Sequence, residues 1–143
     1  VKELVSVSPE VRAALDEGTP VVALETTLVA HGFPTPVGIE VGLESEAAVR
    51  AAGAVPAATG VLDGRIRVGL TEGELARFTP AARKVGPRDL AACAVAGDVG
   101  ATTVGGLLVV ARNLGIRFLG TGGTGGVHRG YPTPLDVSAD LIA

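Results

Sequence analysis

The sequence predicts a layered α/β/α fold around a mixed sheet, and three observations predict it. The apolar residues are mostly Ala, Val and Leu, with only 3% aromatics, a composition that suits parallel strands buried beneath helices. Strand-like and helix-like segments alternate along the chain, as in layered α/β domains. Asp63-Gly64 between two β-rich runs marks an antiparallel hairpin added to that scheme.

Each element follows from local signals. Ser8 and Pro9 open a short helix, "PEVRAALDEG", because Ser is a favoured N-cap and Pro is tolerated at the first helical position. Gly18 stops it. A strand from about Val21 to Leu24 then meets Glu25 as it ends. Thr35-Pro36 starts the next helix, which Gly53 closes. Val37, Val41 and Ala48, with Ile39, Leu43 and Ala47, form its apolar face, while Glu40, Glu44 and Arg50 face solvent. The hairpin occupies "VPAATGVLDGRIRVGL", and Thr71 with Glu74 makes a capping box for "EGELARF". Lys84-Val85 is a short extended piece, and Pro87 begins a helix that Gly97 stops. "TTVGGLLVVARNLG" is a further helix, stopped by Gly115, and "IRFLG" is a strand that runs into glycines. The final "DVSADLIA" reads as a helix start with Asp136 or Ser138 near the cap. One turn is too short to be stable alone, so residues 1–143 are expected to be a single α/β domain, the N-terminal part of a longer one.

Composition excludes several classes. A net charge of −3 lacks the basic stripe of a general nucleic-acid binder. Mean hydropathy is high at +0.44, yet no run approaches the roughly 18 apolar residues of a membrane span. The opening "VKELVSVSPEV" carries no signal-peptide pattern. One cysteine, Cys93, cannot form an internal disulfide and fits a cytoplasmic location. Set among alanines, it reads as a small buried apolar residue.

"GTGGTGGVHRG", residues 120–130, places six glycines in eleven positions, and Gly120, Gly122 and Gly125 match G-x-G-x-x-G. A dinucleotide turn must follow a strand and open a helix. The strand precedes, but Gly130, Pro132 and Pro134 prevent the helix, so NAD binding is not expected. No Gly-Lys-Ser/Thr follows to make a Walker A loop. Two readings stay open: a backbone able to approach an anionic ligand closely, or a plain turn.

Other groups also carry alternatives. Glu25 is either a strand-end carboxylate meeting water or a general acid or base at the lip of a site. Arginines outnumber lysines ten to two, with Lys2 near the start and Lys84 alone in the body. Lys84 either snorkels or supplies a point charge for phosphate. Asp136 and Asp140 flank Ser138 and serve as ordinary caps, or as an anion-binding helix start with a carboxylate for a hard cation. His31 and His128 lack zinc spacing.

"VVALETTLVAHGFPTP", "GAVPAATGVLDGRIRVGL", "KVGPRDL", "GATTV", "GTGGTGGVHRG" and "LDVSADL" occur here in one order. Together they resemble the N-terminal half of the pseudouridine-5′-phosphate glycosidase family, which includes indigoidine-cluster A proteins. The likeness runs from about Ser8 to the last residue, with Gly86-Pro87 departing from the polar residues that relatives often carry. It implies reversible cleavage of the C–C glycosidic bond of pseudouridine 5′-phosphate to uracil and ribose 5-phosphate, with Mn²⁺ or another divalent cation, in a homotrimer. By resemblance, a lysine forms a Schiff base at ribose C1′ and creates the electron sink that a carbon leaving group needs. Glu25 matches the proton donor, and Lys84, Val104, Ser138, Ala139 and Asp140 match substrate-binding positions. Asp136 matches the metal ligand; His128 and Arg129 would lie beside the substrate. The nucleophilic lysine falls beyond the SADL block, so residues 1–143 alone are expected to be inactive. The runner-up is a non-catalytic phosphosugar- or nucleotide-binding module using the same loop.

Overall fold

The computed structural model describes residues 4–133 and 136–143. Within them, strands β1 (Val5–Val7), β2 (Val21–Leu24), β3 (Val55–Leu62), β4 (Arg65–Val68), β5 (Arg83–Val85), β6 (Gly100–Thr102) and β7 (Phe118–Gly120) form one sheet. Helices α1 (Pro9–Glu17), α2 (Val37–Ala51), α3 (Glu72–Leu75), α4 (Leu90–Ala96) and α5 (Val104–Leu114) lie between them. A π-helical turn, Leu28–Gly32, and a 3-10 turn, Ala139–Ile142, complete the set. Lys2, Pro134 and Leu135, which figure in the sequence reading, lie outside the described residues.

The main path of the sheet runs β1-β4-β3-β2-β7, with β6 joining β3 and β5 joining β6. β3 is its hinge. Its first half pairs parallel with β2, and its second half pairs antiparallel with β4 and β6. Side chains alternate across a strand, and β3 sends them into two cores. Ala57 and Val61 pack with Val11, Cys93 and Leu107 from α1, α4 and α5. Ala58 and Leu62 pack with Val29, Leu75 and Phe78 on the opposite face. Helices thus cover both faces, giving the three expected layers. Among the described residues no helix is long and apolar enough to cross a membrane.

Elements with local signals form as expected. The Ser8 hydroxyl accepts from Val11 N–H, and Gly18 ends α1 at φ 74°. Asp63 and Gly64 take φ 51° and 73°, the double left-handed pair that a type I′ hairpin requires. Thr71 and Glu74 close their capping box, although α3 spans four residues rather than the full "EGELARF". Cys93 is fully buried.

Other elements differ from the expected ones. β1 is a strand that no sequence signal marked; it exists by pairing with β4. α4 starts at Leu90, not Pro87, because Gly86 N–H and Asp89 N–H are taken up in a local turn. Thr102 belongs to β6, and α5 begins after Thr103, whose hydroxyl accepts from Gly106 N–H. β7 takes only the last three residues of "IRFLG". In α2, Thr35 makes no cap, and the buried residues are Gly38 and Gly42 rather than Val37, Val41 or Ala48. A Cβ at Gly38 would stand 2.1 Å from the Val29 carbonyl oxygen. The helix turns its bare side inward to sit against the π-helical turn.

Candidate active site

Glu25 leaves the carboxyl end of β2, whose last residue pairs with Ala58 of β3 and Gly120 of β7. Parallel strands place ligands at that end. The carboxylate does not simply meet water: Glu25 is 9% exposed. Its Oε2 accepts the Leu28 N–H at 2.7 Å, so it caps the π-helical turn that follows. Its Oε1 accepts the Thr121 hydroxyl at 3.3 Å. Burial pushes the Glu25 carboxyl above the usual range, against the pull of the Leu28 amide, the Thr121 hydroxyl and the Thr27 amide; the Asp140 charge adds to the rise. A carboxyl whose protonated form is favoured in this way suits general-acid work.

Beneath Glu25 lies a knot of threonines that the sequence reading missed. Thr26, Thr59 and Thr102 are each fully buried. The Thr26 and Thr102 hydroxyls both donate to the Thr59 carbonyl, at 2.8 and 2.7 Å. The Thr102 N–H donates to Thr26 Oγ at 3.0 Å, and the Thr27 hydroxyl donates to the Thr102 carbonyl at 2.9 Å. These bonds satisfy polar groups where the sheet splits and fix the segment that carries Glu25. The doublets "ETT" and "ATT", each closing an apolar strand, were the available signal.

The glycine loop leaves β7 without forming a helix among its described residues. Instead it folds onto the segment after it. Val127 bridges Val137, His128 N–H donates to the Asp136 carbonyl at 3.1 Å, and Ser138 N–H donates to the Gly126 carbonyl at 2.9 Å. A Cβ at Gly125 would lie 2.1 Å from Ser138 Oγ, so this contact demands glycine. Asp140 then ties three pieces together: Oδ1 accepts the Gly105 N–H of α5 at 2.7 Å, and Oδ2 accepts the Gly125 N–H at 2.8 Å. Ser138 caps the 3-10 turn by accepting from Asp140 N–H. Asp136 is not that cap; it pairs with His128 Nδ1.

The structure therefore gathers Glu25, Val104, His128, Asp136, Ser138, Ala139 and Asp140 around the loop, with Arg129 exposed beside His128. Lys84 is exposed on β5 in register with Ala101, and the next residue, Val85, accepts the Thr103 N–H at the start of α5. A cavity of about 350 Å³ adjoins Glu25, lined by Leu24, Leu28, Val49, Leu75 and Thr121. No group of three His, Cys, Asp or Glu gathers among the described residues. A closed metal cage does not fit. A hydrated hard cation, held by one carboxylate and several waters, does fit Asp136, which is half exposed and pairs with His128 through Oδ2 alone among the described residues.

The family model for indigoidine synthase A-like proteins matches residues 10–143. Curated relatives include proteins named pseudouridine-5′-phosphate glycosidase. That of Rhodospirillum centenum is 52% identical over 97% of this chain and 44% of its own length. That of Streptomyces griseus is 54% identical over 94% and 42%. A solved structure of the prealnumycin C-glycosynthase AlnA in complex with ribulose 5-phosphate superposes with TM-score 0.84 at 44% identity, over 97% of this chain and 45% of that one. An indigoidine synthase A-like protein from Thermotoga maritima gives 0.79 at 39%, over 88% and 42%. The chain spans a little under half the length of these relatives.

Proposed function

The chain belongs to the indigoidine synthase A-like family, and from that premise we propose that it supplies the proton-donating wall of a pseudouridine-5′-phosphate glycosidase. The observation that carries the reading is Glu25: a carboxyl at the ligand end of the sheet, nearly buried, held at both oxygens and pushed toward its protonated form. The relatives' names give the reaction class, and the neighbour holding ribulose 5-phosphate supports a phosphosugar ligand.

When the C–C bond breaks, its electron pair stays with the base, and Glu25 is placed to neutralise the departing uracil with its proton. The glycine loop presents backbone close to ribose 5-phosphate, and Ser138 and Ala139 form the facing edge. The exposed Lys84 ammonium and Arg129 guanidinium offer charge to the phosphate. The Val104 end of α5 borders the site, but the Gly105 and Gly106 amides are already taken by Asp140 and Thr103, so the phosphate must find its donors elsewhere. Asp136 would hold a divalent cation such as Mn²⁺, which supplies charge stabilisation when bound. Schiff-base formation requires a lysine that Lys84, in a different motif, does not provide. Homotrimeric assembly belongs to the same proposal.

The test is borohydride reduction in the presence of ribose 5-phosphate, with residues 1–143 joined to the C-terminal portion of the Rhodospirillum centenum relative. A trapped lysine adduct is expected. A folded protein that binds the sugar phosphate but traps nothing would establish the binding-module reading instead.

A further inference from the structure

The Thr121 hydroxyl has more neighbours than it can serve in one orientation. It lies 3.3 Å from Glu25 Oε1 and 3.0 Å from the Gly123 carbonyl oxygen, and it accepts the Gly123 N–H at 3.2 Å. A threonine hydroxyl has one hydrogen and two acceptor lone pairs. One lone pair is occupied by Gly123 N–H, so the single hydrogen has two competing acceptors. Which one receives it depends on Glu25.

With Glu25 ionised, the nearly buried carboxylate and the exposed Gly123 carbonyl compete for one donor. A charged acceptor makes the stronger bond, so the hydroxyl turns to Oε1 and the Gly123 carbonyl passes to water. With Glu25 protonated on Oε1, the acid donates into the second lone pair of Thr121. The hydroxyl hydrogen then passes to the Gly123 carbonyl, and every group is satisfied. We infer that Thr121 is a positioning residue whose hydroxyl reports the protonation of Glu25 to the glycine loop, holding the acid's proton on Oε1 and fixing the loop when the acid is loaded. Its use in catalysis rests on the reading of Glu25 as proton donor; the switch itself does not.

The geometry favours this over a merely structural bond. Oε2 holds the shorter contact, the Leu28 N–H at 2.7 Å, against 3.3 Å between Oε1 and Thr121, so we place the proton on Oε1. Thr121 is the first residue after β7, and Gly123 is two residues on, inside the loop proposed to face the sugar phosphate. Loading the acid therefore tightens the turn Thr121–Gly123 at the start of that loop. The charged group that acts on Glu25 among the described residues is Asp140. Its own carboxylate is engaged by the Gly105 and Gly125 amides.

The experiment is a carbon and nitrogen chemical-shift titration of the 143-residue chain. The Gly123 carbonyl carbon and the Thr124 amide nitrogen are expected to shift with the same midpoint as the Glu25 carboxyl. Glu25→Gln should flatten both curves. Thr121→Val should uncouple Gly123 from Glu25, and Thr121→Ser should restore the coupling. A wild-type Gly123 carbonyl that ignores the Glu25 midpoint overturns the inference without any variant having to fold. So does a Thr121→Val protein in which Gly123 still follows Glu25. Glycosidase activity does not enter this readout, so failure of the functional proposal and failure of the switch are separable.

Discussion

The Gly125 N–H donates to Asp140 Oδ2 at 2.8 Å, closing the glycine loop onto the 3-10 turn fifteen residues later. The other oxygen of the same carboxylate holds the first turn of α5 through Gly105. A single side chain thus joins loop, turn and helix.

Replacing Asp140 by Ala removes two bonds to a charged acceptor, each worth about 1.5–3 kcal/mol. Amide exchange at Gly105 and Gly125 should speed by at least about tenfold, while the β3 core stays protected. Asp140→Asn keeps one acceptor and should fall between. Unchanged exchange at both glycines in the Ala variant would show that the carboxylate holds nothing.

Gly38→Ala should destabilise the protein by about 3 kcal/mol, at the upper end of the range for overpacking. Its Cβ meets a backbone oxygen that cannot turn aside. Gly73 of α3 has open space around it, so Gly73→Ala should be neutral or stabilising by up to about 1 kcal/mol. Urea midpoints for the pair check whether close approach, rather than loss of glycine as such, sets the cost.

Thr26→Val keeps the side-chain shape and deletes the hydroxyl that receives the Thr102 N–H. A buried amide left without a partner costs about 1–3 kcal/mol. Thr26→Ser should recover most of that loss in the same unfolding measurement.

Glu25 has a native carboxyl raised above its usual range, chiefly by burial. The unfolded chain therefore releases this proton at lower pH than the native protein does. The associated stability is full below the ordinary glutamate range and is lost as pH rises through the raised native value. Glu25→Gln removes that dependence, so the variant should gain on wild type across the window and hold a constant margin above it. A difference that stays flat from pH 4 to pH 8 would sink this reading.

Much of this was legible in the sequence where the cause is local. Ser8, Gly18, Asp63-Gly64 and the Thr71–Glu74 box act within a few residues, and each formed as its neighbours dictate. β1 and β6 are three residues long, and only partners far along the chain make them strands. The face of α2 was read in part: Ile39 and Leu43 pack against the core as expected, but hydrophobicity favoured Val37 and Val41 where contact distance favours Gly38 and Gly42. At the site, Glu25 and the glycine loop stood out by position, and the prolines spoke against a helix after it. The threonine knot links residues 26 and 102, a closure that no local pattern announces. Asp140's grip on Gly105 is likewise a product of the fold.

Uracil release from pseudouridine 5′-phosphate is the most direct measurement. It uses residues 1–143 joined to the C-terminal portion of the Rhodospirillum centenum relative, with Mn²⁺ present, and compares that protein with its Glu25→Gln form. The expected result is uracil and ribose 5-phosphate in equal amounts, slowed by about 10²–10⁴-fold in the variant, the span typical of losing a general acid. A folded chimera that releases no uracil, or a Glu25→Gln form that matches the unsubstituted rate, contradicts the assignment of Glu25 as the proton donor of this site.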